Sequence, residues 1–193
     1  MYENIWLTII SATILFVLIV NIRNSRRFNL LDHWLHHKLI GSLDSFNWKV
    51  VAFINDPKLI VIWDILLASF LINEERNLAA LWVIFTLGIT DFIGIFLKKW
   101  MHRKRPISHS HLENGYSFPS GHVLGTTSLS LITWRLFGHK FGSGFAIMLA
   151  IMWLMVVISR LRLKAHYPSD IIGATSLAIF CFTISQQIFL AIV

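Results

Sequence analysis

The chain has 193 residues, a length that suits one domain of ordinary size. It is 55% hydrophobic and only 14% charged, with eight Trp and fifteen Phe, and its mean hydropathy is +0.65. Apolar residues in that excess, arranged in long blocks, exclude an ordinary soluble domain and point to a chain that uses lipid as solvent.

The formal charge of +7 suits basic loops meeting anionic lipid headgroups better than nucleic acid. The single cysteine, Cys181, lies inside an apolar block and cannot form an intrachain disulfide. Trp6 to Val20 lacks the basic flank and small-residue exit of a cleavable signal peptide.

In chain order, Ile5 to Ile22 is the first expected membrane span, closed by Arg23, Arg26 and Arg27. In Phe28 to Phe53, Leu31, Trp34, Leu35 and Leu39 recur at helical spacing. Asp32, His33, His36, His37 and Lys38 fall mostly between them. This reads as an amphipathic helix lying in the membrane interface, with Trp34 and Trp48 near headgroup depth. Asn55-Asp56-Pro57 breaks the chain before a short second span, Lys58 to Ile72, and a polar turn follows at Asn73 to Asn77.

The third span is Leu78 to Leu97. Residues 98–118 are the longest non-apolar stretch. The fourth span, Pro119 to Phe137, is rich in the small residues that allow close helix packing: Gly121, Gly125, Thr126, Thr127 and Ser128. Gly138 to Gly144 is the expected turn, Phe145 to Ile158 the fifth span and Asp170 to Ile192 the sixth. Nothing divides the chain into domains, so the expectation is an all-α membrane protein of six spans in a single domain, 1–193.

Three polar islands interrupt the hydrocarbon: Lys98 to Pro106, Pro119-Ser120-Gly121-His122, and Ser159-Arg160 followed by His166 and Asp170. Counting hairpins brings all three to one membrane face. Their residues suit a phosphate ester, because phosphoryl transfer is mostly positioning and charge stabilisation around three equatorial oxygens. Lys98, Arg105 and Arg160 are the candidate cations, the arginines as planar forks that grip two oxygens. Ser120 and Gly121 stand at a helix start, where backbone N–H groups and the positive dipole end meet an anion. His122 is placed to donate a proton to a leaving oxygen. His166 has Asp170 one helical turn on, able to hold the tautomer that makes its other nitrogen nucleophilic. No carboxylate cluster is present to hold a metal, and no cofactor is called for.

Lys-x6-Arg-Pro at 98–106, Pro-Ser-Gly-His at 119–122 and Ser-Arg-x5-His-x3-Asp at 159–170 resemble the three signature motifs of the type 2 phosphatidic acid phosphatase (PAP2) superfamily, membrane branch. The resemblance implies metal-independent hydrolysis of a lipid phosphate or pyrophosphate through a phosphohistidine. Phosphatidylglycerophosphate, phosphatidic acid and undecaprenyl pyrophosphate all fit as substrates. It casts His166 as nucleophile, Asp170 as its orienting partner and His122 as the acid. Lys98, Arg105, Ser120, Gly121 and Arg160 would bind phosphate. No nucleic acid and no obligate protein partner is expected.

Other readings of the same residues remain open. A non-catalytic protein that binds or transports anionic lipid would use the same basic mouth. Lys99, Arg103 and Lys104 read as end-of-helix anchors that snorkel to the headgroups. The histidine trio 33, 36 and 37 and the pair His109 and His111 have spacings that could meet a metal, although an interfacial segment accommodates histidines anyway. Asp64 and Asp91 are acids within spans and so functional suspects, Asp91 as a salt-bridge partner for Lys98. Most Lys and Arg lie on the motif side, so a positive-inside count puts the site in the cytoplasm. The family resemblance implies an extracytoplasmic site in the cell membrane, and that is the expectation carried forward.

Overall fold

The computed structural model describes residues 3–39, 46–106 and 115–192. Seven helices carry almost all of this: α1 (Glu3–Asn24), α2 (Arg26–Leu39), α3 (Phe46–Ile54), α4 (Pro57–Asn73), α5 (Asn77–Met101), α6 (Gly121–Arg162) and α7 (Pro168–Ile192). No strand occurs among the described residues.

α6 is 42 residues long but is not one rod. Gly142 breaks it with φ 68° and ψ −162°, a backbone region open to glycine because it has no Cβ to clash. The chain then folds back on itself: Trp153 Nε1 donates to Thr127 Oγ1 at 3.0 Å, and Trp134 stacks on Phe145. In a straight helix residues 127 and 153 would stand about 39 Å apart. The break falls inside the expected turn 138–144, and α6 is an antiparallel hairpin of two legs.

Among the described residues, four helices are long and apolar enough to cross a membrane: Ile5–Asn24, Asn77–Met101, the folded-back Gly121–Arg162 and Pro168–Ile192. α4 has 17 residues, about 25 Å of helix. It starts at Pro57 with the Asp56 carboxylate accepting the Lys58 N–H at 2.9 Å, an N-cap that satisfies one orphan donor.

α7 is the hub and packs against α1, α5 and α6. Its contacts with α5 and α6 centre on Leu97, Val123, Leu124, Val156, Leu177 and Ala178. Small residues let the helices close up. A Cβ on Gly94 would meet Leu124 Cδ2 at 2.5 Å, and one on Gly125 would meet Ile60 Cγ2 at 3.1 Å. The apolar side chains that remain exposed, such as Trp6, Phe16, Phe85 and Phe92, face outward as they do where lipid is the solvent.

The segment 28–53 departs from the expected single interfacial helix. It contains α2 and α3 as separate helices, with residues 40–45 outside the described set. Leu30, Leu31, Trp34 and Leu39 of α2 are exposed, while Asp32 and His36 are buried. The polar stripe therefore turns toward the protein, where α2 packs on α1 and α7.

Candidate active site

The three islands meet at one end of the bundle. α5 delivers Lys98 in its last turn and ends at His102, whose left-handed backbone (φ 49°) turns the chain out of the helix. Arg103, Lys104 and Arg105 follow. The returning strand of chain is pinned to them: Ser117 N donates to Arg103 O at 2.7 Å, Ser117 Oγ to Lys104 O at 3.2 Å, and Arg105 Nε to Gly115 O at 3.3 Å. Phe118, fully buried, lies so close to Gly173 of α7 that any Cβ there would overlap its ring. This contact seats the loop on α7, the helix that begins just after His166.

α6 then begins. Ser120 is its N-cap residue, with a buried Oγ that has no hydrogen-bond partner among the described residues, and its N–H donates to Asp170 O at 3.2 Å. A Cβ on Gly121 would lie 3.4 Å from Lys98 Nζ, so the lysine ammonium stands directly over the helix N-terminus. Arg160, from the end of the second leg, brings Nη1 to 3.2 Å from Nε2 and 3.3 Å from Nδ1 of His122. Asp56 lies 3.9 Å from His122 on the outer side.

His166 is buried and its Nδ1 is 2.9 Å from the Ser117 carbonyl oxygen. A carbonyl accepts only, so Nδ1 carries the proton and the lone pair is on Nε2. Asp170 Oδ2 is also near, 3.6 Å from Nδ1, but the shorter partner is the backbone carbonyl. Burial pulls the His166 pKa below its ordinary 6.5, opposed by Asp170 and assisted by Arg105 and Lys98. The imidazole is therefore neutral at pH 7. Lys98, Arg105 and Arg160 all act electrostatically on His122, so the eight expected site residues cluster at one end of the bundle.

Two residues here, Arg103 and Asp32, were not singled out as functional by sequence. Arg103, expected to be a membrane anchor, is only 10% exposed and bonds Asp32 at 2.6 Å and Asp170 at 2.7 Å. A guanidinium between two carboxylates is held by charge, not by headgroups. Asp32 itself accepts the Ser169 N–H at 3.1 Å, bringing α2 to the start of α7. The available signal was the 4-3-4 spacing of Ser25, Asn29, Asp32 and His36, a polar stripe set beside the apolar positions Leu31, Trp34, Leu35 and Leu39.

The histidine trio does not act as a unit. His33 and His37 share the exposed face, with their Nε2 atoms 3.1 Å apart, while His36 turns inward against Tyr167. Burial lowers the His36 pKa to about 4. No group of three or more metal-holding side chains occurs among the described residues. His109 and His111 lie outside them. Asp91 lines a cavity of about 120 Å³ with Lys98, Gly94, Pro119 and Gly121, and Asp64, buried in α4, has Asp91 as its charged neighbour.

The bundle and the cluster of two histidines and three cations at one end of it define a multi-pass membrane protein with an anion-compatible polar site. The chain matches the PAP2 superfamily over residues 79–192 and belongs to that superfamily. Two curated relatives, both called phosphatidylglycerophosphatase B, are similar over part of their length. That of Haemophilus influenzae is 38% identical over 94 residues, which is 43% of this chain and 39% of the relative. That of Bacillus subtilis is 30% identical over 105 residues, 49% of this chain and 50% of the relative. The chain thus matches half or less of their length. The fold is also that of a crystal structure described as the first transmembrane PAP2-type phosphatidylglycerolphosphate phosphatase from Bacillus subtilis. That comparison has a TM-score of 0.83 at 20% identity and covers all of this chain and 98% of the other.

Proposed function

We propose that the protein is a lipid phosphate phosphatase that works through a phosphohistidine on His166, without a metal, within one six-span domain. The observation that carries this reading is the 2.9 Å contact between His166 Nδ1 and the Ser117 carbonyl, which leaves Nε2 as a free, oriented nucleophile. In the first step Nε2 attacks phosphorus, the P–N bond forms and the bond to the lipid oxygen breaks. His122 gives its proton to that oxygen as it leaves. In the second step water attacks the phosphoryl group, His122 takes back a proton, and inorganic phosphate departs with Nε2 restored. Lys98, Arg105 and Arg160, with Ser120 Oγ and the N–H groups at Gly121, hold the equatorial oxygens throughout.

Asp170 holds the imidazole from the Nδ1 side and stabilises the cationic phosphoimidazole. Apolar tails stay in lipid while the headgroup enters at the membrane surface, on the extracytoplasmic side of the cell membrane. The names of the two relatives favour phosphatidylglycerophosphate over phosphatidic acid or undecaprenyl pyrophosphate. The test is inorganic phosphate release by detergent-purified protein from these three lipids, with excess EDTA. Release that survives chelator and disappears in His166→Ala supports the reading. Activity that needs added magnesium, or that persists in His166→Ala, overturns it.

A further inference from the structure

We propose that Asp32 of α2 and Arg103 of the 102–106 turn are positioning residues for the catalytic pair, so that α2 forms a working wall of the site. The proposal rests on the reading of His166 as nucleophile.

The geometry begins at the start of α7. Pro168 is the first helical residue, and the third, Asp170, reaches back with Oδ2 to the Tyr167 N–H at 2.8 Å, the return half of a capping box. That oxygen also faces His166 Nδ1. The other oxygen, Oδ1, accepts from Arg103 Nη1 at 2.7 Å. Both carboxylate oxygens are thereby committed, and the side chain has one orientation.

Arg103 is held in turn. Its Nη2 donates to Asp32 Oδ2 at 2.6 Å, its Nη1 also donates to Ser169 Oγ at 2.6 Å, and its guanidinium lies over the Tyr167 ring at 4.4 Å. Asp32 accepts both the N–H and the hydroxyl of Ser169. Asp32, Ser169 and Asp170 are each under 5% exposed. One cation between two buried carboxylates costs desolvation that only near-complete hydrogen bonding offsets, and here the bonding is near complete. The backbone of Arg103 adds a second hold, because its carbonyl accepts the Ser117 N–H at 2.7 Å. Arg103 therefore grips both groups that face His166 Nδ1: Asp170 through its side chain and Ser117 through its main chain.

A merely structural ion pair would have the same distances, so the test must separate the two roles. The assay is the chelator-insensitive phosphate release above, with kcat and KM measured for Asp32→Asn, Asp170→Asn and the double variant. Asp32→Asn should lower kcat about tenfold or more with KM within about twofold. In the Asp170→Asn background the same change should cost less than about twofold, since its route to His166 has gone. Besides Asp170, the charged groups that act on His166 are Arg105 and Lys98, and His122 is its titratable neighbour. Against that constant background, the acid limb of kcat/KM should move to lower pH in Asp32→Asn, which removes a negative charge. It should move to higher pH in Arg103→Gln, which removes a positive one.

Should Asp32→Asn fail to fold, Ser169→Ala keeps every charge and should lower kcat in the same sense by a smaller factor. Arg103→Lys should recover part of the loss seen in Arg103→Gln. Losses that multiply independently in the two backgrounds, or acid limbs that stay put, overturn the positioning role. Wild-type protein that releases no phosphate refutes the underlying reading and takes this one with it, whereas a wild type that is active and killed by His166→Ala leaves only the positioning claim on trial.

Discussion

His166 and His122 stand at the same mouth yet are held in opposite ways. The His166 side chain is 2% exposed and is enclosed by Ser117, Asp170 and, behind them, Arg103 and Asp32. The His122 side chain is 17% exposed and has Arg160 and the exposed Asp56 as its neighbours. The difference follows from the tasks proposed for them. A nucleophile must present one nitrogen along one line, so every rotation that misaims it is blocked by packing and by hydrogen bonds. A proton donor must meet a leaving oxygen and then a water, so it stays open on the side where those groups arrive.

The comparison breaks most visibly in the paired alanine variants. His166→Ala should lower turnover by at least about three orders of magnitude whatever the leaving group, because the attacking atom is gone. His122→Ala should cost about 10²-fold with an alkyl or lipid leaving group and far less with an activated aryl phosphate, which leaves without a proton. Steady-state rates on a lipid phosphate and on an aryl phosphate separate the two. Equal sensitivity of the His122 variant to both substrates would remove it from the acid role.

A smaller effect is expected at Gly173, which belongs to the His166 half alone. A methyl there collides with Phe118, and overpacking of this kind costs about 1–3 kcal/mol. Gly173→Ala should lower the thermal midpoint and shift Ser117 away from His166 Nδ1. Its rate should fall by the same factor on both substrates. A leaving-group-dependent loss would mean that the two halves are not independent.

The smallest effect is in pH. His166 must be neutral to attack, and burial holds its pKa below 6.5 despite the carboxylate of Asp170. The acid limb of kcat/KM should therefore fall below pH 6.5, with activity retained as pH drops through that value and lost only further down. Asp170→Asn removes the group that raises this pKa and should move the limb lower still. A limb above 6.5 would show that charge, not burial, governs His166.

Much of the architecture was legible residue by residue. The apolar blocks marked most of the helices, Gly138 to Gly144 marked the turn that Gly142 makes, and the small residues of 121–128 marked the close packing seen at Gly125 against Ile60. The charged and histidine residues of the motifs could be picked out because each carries its chemistry in its own side chain. Arg103 could not be read in the same way. Its charge beside Lys99 and Lys104 looks like any helix-end anchor, and its partners lie 71 and 67 residues away. The segment 28–53 misled for a related reason: periodicity reports that a helix has two faces but not which one meets protein.

The amino-acid sequence by itself determined a helical membrane protein with three polar islands and the cations, histidines and carboxylate that they carry. Hydropathy and local spacing decide those features, since both act between neighbours along the chain. The tertiary structure decided what surrounds each group: that α2 turns Asp32 inward, that one guanidinium ties α2 to α7, and that a backbone carbonyl at Ser117 is the nearest partner of His166 Nδ1. These depend on contacts between segments far apart in sequence. A hydrogen bond needs its two atoms within about 3 Å, a condition set only when the helices have packed.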